Sequence, residues 1–395
     1  MKNWSKKFAR ACAAISLLAG PSFAQPSASN RPSIALLDSA DLAQWQTWTK
    51  DLGWPVIAPT VDAGAPIDTR IQALEKSLLA ATQAGSADPS RIYLIGRGEA
   101  AAAVFYTVSR LPDLWAAAAA LGGSPQPAID SDRLYIANFT TVPLLWAGAD
   151  PKDPMLAESL QAAGLMLDFR TGAGLTATAV LEWLGRHTRP AYPSDIDCET
   201  NSPSFARCYW IQMTKFDPAE RNDVLPSSRI QPSLLAALDL GGFGFKKDDP
   251  GPGVLVSYLP EKYSGPLKVG DRIVALDGRE IPDARLYVEM MAQITEERPA
   301  AATVQRGKER LRLETRIVIP KRSAAATARV QAKYLAEDHQ VQIISRTVTG
   351  MRVDVPAQWL PAVLNWNGVP LENMENAGCR LLTIEKAIEK SAPCD

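Results

Sequence analysis

The chain of 395 residues is 46% hydrophobic and 22% charged, an ordinary globular composition that excludes disorder and fibrous repeats and is too long for one core, so two or three domains are expected. Its 42 Lys and Arg face 43 Asp and Glu; without the first 24 residues, which hold Lys2, Lys6, Lys7 and Arg10, the balance is 38 against 43, or −5, so no charge excess favours nucleic acid or an anionic membrane. Only His187 and His339 are present, which excludes a histidine-rich metal site; neither a metal nor a cofactor is expected.

Taken in order, residues 1–24 read as a signal peptide: a basic start, an apolar run of about ten residues where a membrane span needs roughly 20, and small residues Ser22 and Ala24 at the end. The protein is therefore expected in the periplasm or secreted, with no membrane span. From Arg31 short apolar runs (PSIALL, WPVIAPT, RIYLIG, WAAAAALGG, VPLLWAG, LMLDF) alternate with helix-sized amphipathic stretches up to about residue 190, the text of an α/β domain with a mostly parallel sheet and flanking helices. Residues 191–233 read as a Pro-rich linker followed by the strand CYWIQMTKF. A compact unit is expected over 234–320 and a small β-rich module over 321–395, ending in a short helix, LLTIEKAIEK. The isolated strand suggests that 234–320 is inserted into a β module formed by 208–230 and 327–371.

Four cysteines follow the leader: Cys198, Cys208, Cys379 and Cys394. In an exported chain they suggest disulfides, and the two sequence-local pairings, Cys198 with Cys208 and Cys379 with Cys394, are the cheapest of the three connectivities to close.

The segment DPSRIYLIGRGEAAAAVFY, with SIALLDSAD and GWPVIAPT before it and WAAAAALGG and VPLLWAGADPKDP after it, resembles the strand–elbow–helix of α/β-hydrolases, nearest to polyhydroxybutyrate-depolymerase or dienelactone-hydrolase esterases. The resemblance covers roughly residues 31–188. It implies a nucleophile in G-x-S-x-G, an acid after a later strand and a histidine beyond the next. Here the elbow is Gly96-Arg97-Gly98-Glu99-Ala100, so Gly98 takes the nucleophile position; Asp150 matches the acid; Leu175 takes the histidine position. Asp38 and Glu99 add negative charge where an oxyanion would develop, which opposes acyl transfer. The reading leans away from an enzyme. The alternative is an esterase or peptidase with a non-standard site drawn from Ser39, Ser124, Thr176, Asp38, Glu99 and Asp150; His187, at a helix end, reads as a surface residue.

GGFGFKKDDPGPGVLVSYL followed by SGPLKVGDRIVALDGREI resembles a PDZ domain, with Leu267, Gly270, Asp271, Ile273, Asp277 and Gly278 matching L-x-x-G-D-x-I-x-x-x-D-G. The resemblance implies capture of an extended peptide or protein C-terminus at a sheet edge. Gly242, Phe243, Gly244 and Phe245 would line the carboxylate loop, and Tyr287 and Met291 the helix beside it. The functional expectation is an exported, non-catalytic protein that binds or scaffolds peptides or envelope proteins; the tail, with Trp359 and Trp366 read as packing residues, offers no chemistry.

Overall fold

The computed structural model describes residues 31–171, 175–230, 236–246, 248–319, 325–385 and 388–394; the segment read as a signal peptide lies outside them. Six strands form one parallel sheet: β1 Ser33–Leu36, β2 Val56–Ile57, β3 Ile92–Arg97, β4 Ala117–Leu121, β5 Leu144–Gly148 and β6 Leu167–Thr171, in the order β2-β1-β3-β4-β5-β6. The connecting helices are α1 Leu42–Thr49, α2 Ile67–Gln83, α3 Ala100–Arg110, α4 Gln126–Asp130, α5 Asp153–Ala162 and α6 Ala177–Leu184. The inner strands β1, β3, β4 and β5 are mostly apolar because both faces are covered, whereas the edge strand β6 carries Asp168 and Arg170. Side chains alternate between the faces: Ala35, Leu94 and Trp146 pack with Ile71 of α2 and Phe105 of α3, while Ile34, Tyr93 and Leu145 pack with Trp45 of α1 and Trp183 of α6.

Residues 191–233, read from the sequence as linker and strand, contribute three strands: β7 Asp195–Thr200, β8 Arg207–Cys208 and β9 Ile211–Phe216. They pair with strands that lie after the central unit: β17 Ala328–Leu335, β18 Gln340–Arg346, β19 Val348–Val355, β20 Ala362–Trp366, β21 Val369–Met374, β22 Gly378–Glu385 and β23 Ile388–Pro393. Two five-stranded sheets result, β21-β20-β18-β17-β7 and β23-β22-β19-β9-β8, around a core that includes Trp210, Val330, Ile343, Met351, Trp359 and Trp366. The sequence from 236 to 319 therefore falls between the two halves of one β module, which begins at β7 and ends at β23.

The terminal helix expected over LLTIEKAIEK is not formed; its described residues belong to β22 and β23, which pair with each other. Leu382 is fully buried between half-exposed Leu381 and Thr383, the alternation of a strand, and β22 finds a partner on its other side in β19. A helix of ten residues has little stability of its own against two ladders. The disulfide Cys379–Cys394 closes the ends of this hairpin, and Cys198–Cys208 joins β7 to β8, both as the sequence-local pairing predicts. Two disulfides fit an oxidising compartment outside the cytosol.

Between the halves stand β10 Ala237–Leu238, β11 Gly244–Phe245, β12 Val254–Tyr258, β13 Arg272–Leu276, β14 Arg279–Glu280, α7 Ala284–Ala292, β15 Arg298–Arg306 and β16 Glu309–Val318. Their antiparallel sheet runs β10-β16-β15-β13-β12-β11, with β14 beside β13, over a core that includes Val254, Val256, Ile273, Tyr287, Met291 and Val304. Among the described residues no helix is long and apolar enough to cross a membrane.

Candidate functional sites

The carboxyl edge of the parallel sheet is the first site, since ligands of open α/β sheets bind there. β3 ends at Arg97 and the chain turns into α3 through Gly98 at φ +56°. The turn is held from both sides: Gly98 N–H donates to Leu121 C=O at 2.8 Å, and Gly98 C=O accepts from Ala101 N–H at 3.0 Å. A side chain at position 98 would project into open space, as a nucleophile elbow requires, yet the residue there carries none. Beside it lies a cleft of about 200 Å³ lined by Trp45, Trp48, Arg97, Leu121, Leu175 and Val180. Leu175 is thus an apolar wall; residues 172–174 before it lie outside the described residues. Arg97 leans along α1, donating to Gln44 Oε1 at 2.6 Å, 3.7 Å from Asp41, and 5.5 Å from the Trp48 ring centroid.

The other polar residues expected near this edge serve their own turns. Asp150 Oδ1 accepts from Lys152 N–H at 2.8 Å, and Asp38 Oδ1 accepts from Ala40 N–H at 2.9 Å, with Arg70 at 3.6 Å. Ser124 Oγ accepts from Gln126 N–H at 3.2 Å, and Thr176 Oγ1 caps α6 by accepting from Ala179 N–H at 3.2 Å. Ser39 is exposed in a short turn, and Glu99 is exposed at the start of α3. His187 packs tilted against Trp183, with ring centroids 4.5 Å apart, where burial and then Arg186 hold its pKa below the usual value; His339 sits at positive φ in the β17–β18 turn. Neither histidine is among the residues lining the cleft.

The second site is the outer edge of β11. Gly241 and Gly242 both take positive φ, and Tyr263 fixes their loop by donating to Leu240 C=O at 2.6 Å and accepting from Leu267 N–H at 2.9 Å. Phe243 and Phe245 are half-buried with ring centroids 6.2 Å apart. Tyr287 and Met291, expected on the groove wall, are 5% and 1% exposed and belong to the core; Tyr287 meets Phe245 edge-on at 5.7 Å, and burial pushes its phenol pKa up. The positions of α7 left half-buried are Leu286, Val288 and Met290.

The aspartates of the glycine–aspartate motif act as turn anchors. Asp271 accepts from Lys268 N–H at 2.7 Å and from Arg306 Nε and Nη2 at 2.9 and 2.7 Å. Burial opposes ionisation, but these hydrogen bonds prevail and hold the carboxyl below its usual range. A carboxyl lowered on folding stabilises the unit above its unfolded pKa, and that stability is lost as pH falls through the folded value. Arg306→Gln should therefore lower stability at neutral pH and flatten its acid dependence, read from denaturation midpoints between neutral pH and the carboxylate range.

The residues that sequence reasoning missed lie at the junction. Glu199 on β7, 1% exposed, accepts from Ser227 Oγ at 2.5 Å, Ser228 N–H at 2.6 Å, Ser228 Oγ at 2.7 Å and Arg346 Nη2 at 3.3 Å, and also from Thr327 Oγ1. Its backbone is paired with Asn138 of the parallel-sheet unit, at 2.7 and 2.8 Å. No sequence signal marks a lone glutamate in DIDCET as the meeting point of four segments. Among the described residues there is no cluster of His, Cys, Asp and Glu placed to hold a metal.

No family model matches the chain, and no curated protein does. Among solved structures it is similar to esterase PE8, at 15% identity over 40% of this chain and 93% of that one with a TM-score of 0.29. It is similar also to s-formylglutathione hydrolase from Staphylococcus aureus, at 12% identity over 41% and 81% with a TM-score of 0.29. A thermostable esterase matches at 14% identity over 42% of this chain and 57% of that one, with a TM-score of 0.31.

Proposed function

We propose that this is an exported, non-catalytic binding protein, in which a PDZ-like unit captures an extended peptide or protein C-terminus and a hydrolase-like unit serves as its platform. The observation that carries the reading is the elbow itself: the turn keeps the left-handed geometry that would present a nucleophile, with Gly98 in that place and the apolar Leu175 on the cleft wall beside it. Acyl transfer needs a nucleophile, a base to activate it and donors for the oxyanion; Asp150, Ser124 and Thr176 have instead become caps of their own turns. On the binding side, β11 is the last strand of its sheet among the described residues, which offers its outer edge to a peptide strand, with Phe243 and Phe245 beside it and the glycine loop at its head.

The test has two arms on the purified chain. Hydrolysis of a short-chain p-nitrophenyl ester and labelling by a fluorophosphonate should both be at background; turnover abolished by Ser39→Ala or Ser124→Ala would instead establish an esterase or peptidase with a relocated site. Peptides with free C-termini should bind in fluorescence anisotropy and lose affinity when amidated. Phe243→Asp, which sets a carboxylate against the peptide's own, should weaken binding by about tenfold or more. Binding indifferent to amidation and to Phe243 would overturn the peptide reading.

A further inference from the structure

A cleft of about 340 Å³ runs between α2 of the parallel-sheet unit and the β module, a volume and a location typical of ligand sites. Leu78, Leu79 and Leu114 form its apolar side, and Leu79 is 56% exposed. Tyr192, Tyr209 and Trp210 form the facing aromatic side. Its ionic lining is uneven: Glu75, Asp113 and Asp354 stand against Arg189 and Arg207, three carboxylates to two guanidinium groups.

The partners of these groups are specific. Arg207 is shared between two acids, with Nε donating to Asp113 Oδ2 and Nη1 lying 3.0 Å from Glu75 Oε1. Arg189 is turned to the backbone, donating from Nε and Nη2 to Pro89 C=O at 3.2 and 3.0 Å. Asp354 Oδ2 accepts from the Tyr192 hydroxyl at 2.9 Å. Asp113, 5% exposed, retains a buried Oδ1 with no hydrogen-bond partner. Burial, opposed by Arg207 and reinforced by Asp113, pushes the Glu75 carboxyl above its usual range. One buried carboxylate, Asp113, and one half-buried carboxylate, Glu75, thus share one arginine, and an uncompensated buried acceptor is costly.

We propose that this cleft binds a primary alkylammonium group, the ammonium supplying the second cation that Glu75 and Asp113 lack and its methylene stem lying along Leu78 and Leu79. A compact ammonium brings three donors and no acceptor, and the cleft it would enter is lined by Tyr192 and Trp210. An anion meets a lining of net charge −1 whose guanidinium groups are already engaged. An uncharged apolar ligand would fill the volume and leave Asp113 Oδ1 unpaired. A free amine and a lysine side chain present the same group, so the two sources are separated by the probe.

The experiment is titration of the full chain with n-hexylammonium, with N-acetyl-lysine methylamide, and with hexanoate and hexanol as controls, read by tryptophan fluorescence and by the ligand-dependent rise in melting temperature. The expected result is saturable binding of both amines and none of the controls up to about 10 mM. Tighter binding of the lysine derivative assigns a peptide side chain, and equal or tighter binding of hexylammonium a free amine; either supports an ammonium site. Asp113→Asn should weaken binding by about tenfold. Leu79→Trp, which fills the cleft from an exposed position and leaves the ion network intact, should abolish it and decides the matter if Asp113→Asn does not fold. Equal binding of hexanol and hexylammonium, no binding of either amine, or amine binding unaffected by Leu79→Trp would overturn the proposal.

Discussion

Glu199→Gln is expected to destabilise the protein by about 3–5 kcal/mol, the cost of leaving one partner of a buried ionic network uncompensated. The substitution keeps the shape and removes the charge. Arg346 then loses its carboxylate, and an amide nitrogen enters a site where the Ser228 N–H and the hydroxyl groups of Ser227, Ser228 and Thr327 converge as donors. Hydroxyl groups can turn to accept, but a backbone N–H and a guanidinium cannot. The loss should exceed that of Ser227→Ala, which removes a single hydrogen bond worth about 1–2 kcal/mol. Urea midpoints followed by tryptophan fluorescence measure both. A Glu199→Gln loss no larger than the Ser227→Ala loss would mean that the network is not an energetic centre. The position matters because residues 227–228 and 327 lie on the two strands of chain that lead into and out of the central unit. One carboxylate therefore fixes both ends of the segment that carries the β11 edge.

What the sequence discloses and what it conceals divide along one physical line. Strands buried on both faces read as apolar runs, and the turns of the central unit carry glycine and aspartate at fixed spacing, with Asp271 accepting from Lys268 N–H three residues before it; such local chemistry is legible in one dimension. Glu199 is not, because Thr327, its partner, is 128 residues away and only the pairing of β7 with β17 brings them together. The same long-range pairing adds β7 and β8 to the one strand expected within residues 191–233 and turns the tail's LLTIEKAIEK from a helix into a hairpin. Tyr287 and Met291 were legible as one face of α7, but which side of that helix meets the core depends on the sheet beneath it. Of the positions matched at the sheet's carboxyl edge, Leu175 lines the cleft and Gly98 directly follows Arg97 of its wall, whereas the carboxylate of Asp150 is turned to its own backbone, a choice made by the loop's conformation and not by its composition.

Gly123→Val and Gly98→Ala, two substitutions at one turn, should have opposite severities. A Cβ at position 123 would lie 2.1 Å from the carbonyl oxygen of Gly98 and 2.9 Å from Ala101 Cβ, an overlap with backbone that no rotamer relieves. The obstructed carbonyl accepts from Ala101 N–H, and Gly98 N–H is bound to β4, so the turn cannot retreat without breaking a hydrogen bond at each end. Overpacking of this kind costs about 3 kcal/mol or more, enough to remove much of the stability of an ordinary domain. At position 98 an added Cβ meets nothing within 4 Å, and only the left-handed backbone resists it, at about 1–2 kcal/mol. Thermal melts of the two variants, with the wild type alongside, decide between these outcomes. The expected order, a folded Gly98→Ala and a grossly destabilised Gly123→Val, would mean that the turn is preserved by the close approach of Gly123, just after β4, to its carbonyl, independently of any side chain at 98. Comparable losses would mean that Gly98 itself sustains the turn. That distinction bears on function directly: a turn maintained by packing around it keeps its form after its nucleophile is gone, which is the state proposed for this protein.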